Sequence, residues 1–359
     1  MKVGIANLKR IVDKHKKDID SAIAECLDKS WYIKSPAVSK FEAKLTKYCE
    51  NTVATCSSGT SALLMAYEQC GISPGDKVIV PSFTFISTAE MLSKVGATPV
   101  WVDVNMENHT MDIEDLERKM DMHDDIKAIV GVDTNGHTCD WDRIREIADP
   151  YHIPVVQDAA QSFGGKYKGR INGSYNLTCF SFYPGKNLFC LGDGGAVAGP
   201  EEDVKRIKMA SDHGRRTKYD HEFLGWNERL DAIQANILNK LLPNINKWNA
   251  EKTKIAKIYN ENLTTNYTPK SADWCTHTYN QYTICVQDRD TVFNTLANKG
   301  ITCGKAWGSG LHQQKCYANR DALVPNTEVI AKEIISLPCY PGLTEAEQDY
   351  VIQQVNKLI

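Results

Sequence analysis

From residue 52 to residue 200 the chain alternates short β-rich runs with helical stretches, and this alternation restricts the fold more than any other feature. The β-rich runs fall at Thr52–Thr55, Val78–Pro81, Val100–Val104, Ala128–Val132, Val155–Asp158, Thr178–Phe182 and Ala196–Ala198. Helical stretches near 60–70, 84–94, 113–120 and 140–150 lie between several of them. Strands separated by helices run parallel, and a parallel sheet is covered on both faces. The fold class expected is therefore α/β. Upstream, Ile11, Val12, His15, Ile19, Ile23, Cys26 and Leu27 recur at helical spacing and predict one amphipathic helix over 9–29. Downstream, 228–260 reads as a long helical region interrupted near Pro243. The remainder mixes a strand at Gln281–Val286 with helices at 290–299 and 345–357. At roughly 150 residues per domain, 359 residues make about two domains. The expected division is a large α/β domain over 1–245, which includes the N-terminal helix, and a smaller α+β domain over 246–359.

Composition narrows the partners. Lys plus Arg number 42 and Asp plus Glu 45, a net charge of −3, which argues against a nucleic-acid surface or a basic membrane anchor. No stretch approaches the roughly 18 consecutive apolar residues of a membrane helix. The first ten residues hold no apolar signal core, so a cytoplasmic protein is expected. Twelve cysteines suggest disulfides or zinc, but the closest pair, Cys49 and Cys56, is seven residues apart. Zinc sites show tighter ligand pairs, so no metal is expected and the cysteines read as reduced, buried, small hydrophobes.

In open α/β sheets ligands sit beyond the carboxyl ends of the strands, and three such ends carry candidate chemistry. The first is Cys56-Ser57-Ser58-Gly59-Thr60-Ser61, a hydroxyl-rich turn opening a helix. Free N–H groups there, with Gly59 allowing close approach, suit a phosphate, although a plain Ser N-cap has the same composition. The second is Val155-Val156-Gln157-Asp158, where a buried run delivers a carboxylate able to pair with a protonated ring nitrogen or simply to cap a helix. The third is Ser181-Phe182-Tyr183-Pro184-Gly185-Lys186-Asn187, a turn that presents Lys186 either to solvent or to an aldehyde, with which a lysine forms a Schiff base. Together, a phosphate site, an acid and a lysine match the three handles of pyridoxal phosphate. Phe85 is placed either to stack on its ring or to fill the core.

The order and spacing of further segments carry a resemblance. Ser30-Trp31-Tyr32-Ile33, Ser58-Gly59-Thr60-Ser61-Ala62-Leu63, Gly71 to Pro81, Gly96-Ala97-Thr98-Pro99-Val100, Gln157-Asp158-Ala159-Ala160-Gln161, the Lys186 turn, His213-Gly214 and Asn227-Glu228-Arg229-Leu230-Asp231 follow one another over nearly the whole chain. The sequence resembles the sugar aminotransferases of the DegT/DnrJ/EryC1/StrS family, in the aspartate-aminotransferase superfamily. The resemblance implies a fold-type-I transferase, with a mostly parallel, mixed seven-stranded sheet flanked by helices. It also implies that Gly59, Thr60 and Ser181 bind the cofactor phosphate, that Asp158 pairs with the pyridine nitrogen, and that Gln161 lies beside the ring. Lys186 becomes the catalytic lysine. Asn227 matches a position that reaches the phosphate of a neighbouring subunit, which implies a homodimer with shared sites. Taken outside the family, Asn227 reads as a helix N-cap.

Departures from the family pattern cluster where its members face the sugar or nucleotide. They are Ser30 before Trp31 with Lys34-Ser35 after it, the run from Val132 to His137, and the run from Lys305 to His312. The substrate contacts implied are Tyr32, Lys34, Tyr183, Arg229, Trp307 and His312. The reaction implied moves the amino group of L-glutamate to a nucleotide-linked keto-6-deoxysugar. The preferred acceptor is dTDP-4-keto-6-deoxyglucose, giving the 4-amino-4,6-dideoxy sugar, and the alternative is amination at C3 of a dTDP-3-keto-6-deoxyhexose. Two rivals remain: a sugar dehydratase, in which a His replaces the Schiff-base lysine, and a non-catalytic sugar-nucleotide sensor. A nicotinamide dehydrogenase is disfavoured, because no Gly-x-Gly-x-x-Gly follows a strand and opens a helix.

Overall fold

A computed structural model describes residues 1–264, 268–317 and 322–359. Strands β1 (Thr52–Cys56), β2 (Lys77–Pro81), β3 (Thr98–Val102), β4 (Ile126–Val132), β5 (Val155–Asp158), β6 (Leu177–Ser181) and β7 (Gly195–Gly199) form one sheet of seven, ordered β1-β7-β6-β5-β4-β2-β3. Neighbours from β6 to β3 are parallel. β7 runs antiparallel to both β6 and β1. Six strands therefore end at the same edge, and the mixed, mostly parallel sheet expected from the sequence is present.

Alternation along the strands sends successive side chains to opposite faces. Ala54, Val78, Val80, Ala128, Val130 and Val156 pack on one face. Val53, Phe180 and Ala196 enter a second core, and Ile79, Ile129 and Val155 a third, on the other. Every residue of β5 and β6 is buried, which is why these strands read as near-continuous runs rather than as alternating ones. Two of their polar members, Gln157 and Thr178, pair with each other, with Thr178 Oγ1 donating to Gln157 Oε1 at 2.8 Å.

Helices α1 (Leu8–Lys14), α2 (Lys16–Asp28) and α3 (Pro36–Cys49) precede the sheet. α4 (Gly59–Gln69), α5 (Ile86–Lys94), α6 (Ile113–Met122) and α7 (Trp141–Ala148) connect its strands, and α8 (Glu201–Ala210), α9 (Ala232–Leu241) and α10 (Ile245–Asn262) follow it. The single helix expected over 9–29 is two. The chain turns at His15 (φ −106°, ψ 12°), whose ring meets Trp248 edge-on at 5.5 Å. The turn lets Ile11 and Ile19 reach the same core. The interruption expected near Pro243 is a short 3₁₀ turn between α9 and α10, because proline supplies no amide to continue a helix.

The C-terminal part builds its own core around an antiparallel pair, β8 (Tyr282–Cys285) and β9 (Ile334–Leu337). Helices α11 (Arg289–Asn298), α12 (Pro325–Glu333) and α13 (Glu345–Val355) accompany it. α10 belongs to both cores. Ile245 and Trp248 pack with the sheet domain, and Ile255, Ala256 and Tyr259 with the C-terminal one. The division expected at residue 245 falls at the first residue of this helix. Among the described residues no helix is long and apolar enough to cross a membrane.

One ion pair ties the two ends of the chain. Arg10 grips Glu347 through both carboxylate oxygens, at 2.7 and 2.6 Å, while Glu347 also closes the capping box of α13 with Thr344. The Arg10 guanidinium holds Glu347 down to about 2, against an ordinary 4.5. A depressed carboxylate adds stability above its unfolded pKa and loses it as the pH falls through its folded one. This contribution is therefore complete above pH 4.5 and disappears between 4.5 and about 2. Glu347→Gln is expected to lower stability at neutral pH by about 1–2 kcal/mol, with the difference from wild type vanishing in acid. Urea unfolding at several pH values measures it.

Candidate active site

Where β1, β5 and β6 end, the chain leaves a cavity of about 510 Å³, bordered among others by Gly59, Thr60, Asp158, Gln161, Ser181 and Lys186. This size suits a cofactor or small ligand.

One end of the cavity is the start of α4. Ser58 caps the helix, its Oγ accepting the Ser61 N–H at 3.0 Å and its carbonyl the Ala62 N–H at 3.0 Å. The amides of Gly59 and Thr60 remain without a partner among the described residues, as helix starts require. A Cβ on Gly59 would lie 2.6 Å from the Cβ of Ser181, and one on Gly195 would lie 2.3 Å from the Ser58 carbonyl. Two glycines thus let the helix start close onto the ends of β6 and β7. Glu228 fastens the turn from behind. Its carbonyl accepts the Ser57 N–H at 2.9 Å, and its carboxylate accepts the hydroxyls of Ser57 and of Ser61, the latter at 2.5 Å.

The other end is acidic. Asp158 is 5% exposed, its carboxylate accepting from Thr88 Oγ1 at 2.8 Å and from the Ala160 N–H at 3.1 Å. Burial pushes its pKa up, opposed by these two hydrogen bonds and by the charge of Lys186. Burial pushes Lys186 down, opposed by Asp158. Desolvation thus favours a neutral amine on Lys186, the form that attacks an aldehyde and accepts a proton. A cation brought against Asp158 would oppose that upward shift further. Gln161 is also buried, its Oε1 accepting the Asn135 N–H at 2.6 Å. Below it, Asp133 joins the ends of β4 and β5, accepting from Gln157, Ser162, Asn172 and the Cys139 amide at 2.7–3.0 Å. Free amides at a glycine-floored helix start, a buried acid and a half-buried lysine in one cavity fit the phosphate, ring nitrogen and aldehyde of pyridoxal phosphate.

The remaining residues singled out in the sequence divide. Phe85 and Tyr183 border the cavity at its rim, 55% and 56% exposed. Trp307 also borders it, held edge-on by Phe83 at 4.8 Å. Lys34 and Arg229 instead converge on Asp212, together with Arg215 at 2.8 Å. Burial pushes Asp212 up, but Arg215, Lys34 and Arg229 outweigh it and hold its carboxyl well below the usual range. Asn227 is exposed, accepts from Arg229, and does not border the cavity of its own chain. Tyr32 is 53% exposed, its carbonyl accepting the first amide of α9 at 2.8 Å. His312 is buried, its Nδ1 bonded to Ser82 Oγ at 2.7 Å, away from the cavity.

Sequence reasoning missed Thr88, which holds Asp158, and Gln281, which brings the C-terminal domain to the cavity wall. The only signal for Thr88 is its spacing from Thr84, four residues earlier and just before the helix, where the two hydroxyls meet at 2.9 Å. Nothing marks Gln281.

Comparison with known proteins gives the family. Residues 13–356 match the DegT/DnrJ/EryC1/StrS aminotransferase family. The chain is 35% identical to the dTDP-3-amino-3,4,6-trideoxy-alpha-D-glucose transaminase of Streptomyces venezuelae, over 99% of this chain and 96% of that one. It is also 35% identical to the UDP-2-acetamido-2-deoxy-3-oxo-D-glucuronate aminotransferase of Pseudomonas aeruginosa, over 94% of each. The crystal structure of S. venezuelae DesV in complex with a ketimine intermediate superposes with a TM-score of 0.96 at 34% identity, covering 99% of this chain and 98% of that one. The structure of NtdA from Bacillus subtilis with bound cofactor PMP gives 0.91 at 26% identity, covering 99% and 84%. The chain belongs to the DegT/DnrJ/EryC1/StrS aminotransferase family and is a pyridoxal-phosphate-dependent aminotransferase.

Proposed function

We propose that this enzyme transfers an amino group from L-glutamate to C3 of a nucleotide-linked keto sugar, working as a homodimer. The observation that carries the reading is the buried Asp158 and the half-buried Lys186 in one cavity that begins at the unpartnered amides of α4. Pyridoxal phosphate, when bound, supplies an aldehyde that carries the amino group and a ring that withdraws electrons. The amides of Gly59 and Thr60, with the hydroxyl of Ser181, hold its phosphate. Asp158 keeps a proton on the ring nitrogen, and Thr88 keeps Asp158 in place. Lys186 Nζ, whose neutral form desolvation favours, takes and returns the proton on the carbon that bears the nitrogen. Phe85 and Tyr183 wall the cavity from water. The presence of Lys186 disfavours the dehydratase and sensor rivals.

The sugar position rests on relatives rather than on geometry. The transaminases of S. venezuelae and Aneurinibacillus thermoaerophilus are named for 3-amino sugars, and that of P. aeruginosa for a 3-oxo sugar. These names favour C3 over the C4 acceptor preferred from the sequence. A GDP-perosamine synthase of Escherichia coli O157:H7, 31% identical, keeps other nucleotides and positions in the comparison. The homodimer is supported by a strip of exposed apolar residues on the segment that carries Asn227, with Tyr219 at 83%, Leu224 at 100% and Trp226 at 43% exposure. A second copy would cover that strip and bring Asn227 to the neighbouring cavity.

Spectra, turnover assays, cofactor binding and sedimentation test this reading. Purified enzyme loaded with pyridoxal phosphate is expected to absorb in the visible and to bleach with L-glutamate. Lys186→Ala is expected to lose both the bleaching and about a thousand-fold or more in turnover. Assay with 3-keto and 4-keto sugar nucleotides reads the position, and turnover of the 4-keto set alone would return the reading to C4. Gly59→Ala is expected to weaken pyridoxal phosphate by about ten-fold, through the displaced helix start, while leaving the binding of pyridoxal, which lacks the phosphate, nearly unchanged. Sedimentation is expected to show a dimer, and a fully active monomer would remove the shared site.

A further inference from the structure

Lys252 is the least expected burial in the molecule. Lysine is almost never fully buried unless paired, yet Lys252 on α10 is 4% exposed. Among the described residues its ammonium meets no carboxylate. It donates to one neutral acceptor, Asn187 Oδ1, at 2.6 Å. One neutral hydrogen bond does not offset the desolvation of a charge, and burial pushes Lys252 down to about 7. An unbranched apolar side chain of similar length would fill the same space at less cost to the fold.

What Lys252 touches gives the reason for its presence. Asn187 is the residue after Lys186 and is itself 8% exposed. Its Nδ2 reaches the Phe163 carbonyl at 3.4 Å, an acceptor shared with Asn249 of α10 at 3.1 Å. The Asn187 side chain is therefore clamped between α10 and the segment after β5. The backbone of the turn closes on itself, through Lys186 N–H to Tyr183 O and Cys190 N–H to Phe182 O, both 2.8 Å. Packing does not complete the restraint. A second cavity of about 220 Å³ borders Lys186, Asn187 and Lys252, and shares Lys186 and Gln281 with the first. Asn280 and Tyr340 also border it, and Asn280 Oδ1 and the Tyr340 hydroxyl are buried without a hydrogen-bond partner among the described residues. A turn with open space on one side depends on its hydrogen bonds for position.

We propose that Lys252 is a positioning residue: its buried ammonium holds the Asn187 side chain and so fixes the backbone from which Lys186 projects toward Asp158. Because α10 packs in both cores, the same bond sets the turn relative to the C-terminal domain. The inference rests on Lys186 being the catalytic lysine. If Lys186→Ala keeps turnover, that assignment fails; if Lys186→Ala is inactive and Lys252→Met is not, only the positioning role fails.

The test compares Lys252→Met, Asn187→Ala and the double variant in the enzyme loaded with pyridoxal phosphate, and repeats one measurement on the apoprotein. Displacing a reacting group costs rate rather than affinity, so each single variant is expected to lose about ten-fold in kcat, with KM for the sugar nucleotide within about two-fold of wild type. The double variant is expected to be no worse than either single one, because both remove the same bond. In the apoprotein, amide hydrogen exchange over 183–190 is expected to rise about ten-fold in Lys252→Met, with that of β6 unchanged. The melting temperature of Lys252→Met is expected to equal or exceed that of wild type. Wild-type kcat in either single variant, or losses that multiply in the double one, would overturn the proposal. Should Lys252→Met fail to fold, Asn187→Ala alone decides.

Discussion

The burial of one carboxylate organises the site. Asp158 ends β5, a strand buried at every position, and a parallel sheet covered on both faces leaves that carboxylate little contact with water. Its free energy depends on what is placed around it. Thr88 from α5 and the amide of Ala160 supply two donors, and Lys186 supplies charge from the turn after β6. None of these offsets the burial fully, so the carboxyl stays displaced upward. In an enzyme that binds a protonatable ring, such a carboxylate would favour a proton on the ring nitrogen, as proposed above. Lys186 carries the opposite displacement for the same reason. Desolvation thus displaces an acid and a base in opposite directions beside one cavity, a pattern common at functional sites.

The phosphate end solves a different problem. A helix start can approach two strand ends only if side chains are missing where they would collide. Gly59 against Ser181, and Gly195 against the Ser58 carbonyl, are those places. The turn is then held by Glu228, a carboxylate close to the helix start proposed to hold a phosphate. Its bonds go to Ser57 and Ser61, which leaves the Gly59 and Thr60 amides aimed elsewhere. Division of the donors, rather than their number, keeps the anion site available.

What could be read from the sequence follows the same physics. The sheet was legible because its strands are short, buried and separated by helices. The tips carrying Gly59, Asp158 and Lys186 were legible because a polar residue directly after a buried apolar run stands at the sheet edge where ligands bind. Residues whose roles come from tertiary contact were not. Thr88 is an ordinary helical threonine until α5 is laid against β5. Lys34 and Arg229 read as charges available to a substrate, and only the fold shows that Asp212 has gathered them with Arg215. The helix over 9–29 had the right periodicity but breaks at His15, because both halves must reach one core while the ring of His15 meets Trp248.

α10 connects these arguments. A linker between two cores would let them move apart, whereas a helix buried at one end in each core fixes their relation through its own backbone. Along that helix, Asn249 and Lys252 lie three residues apart and therefore on one face, and both reach the neighbourhood of Asn187 and Phe163. The wall of the cofactor cavity draws on both domains, through Lys186 and Gln281. Any shift between the cores would change the distance from the lysine to that wall. Holding the lysine's turn from the shared helix removes this freedom at its source, and a buried charge with a single neutral partner is a restraint that apolar packing on an open-sided turn cannot replace.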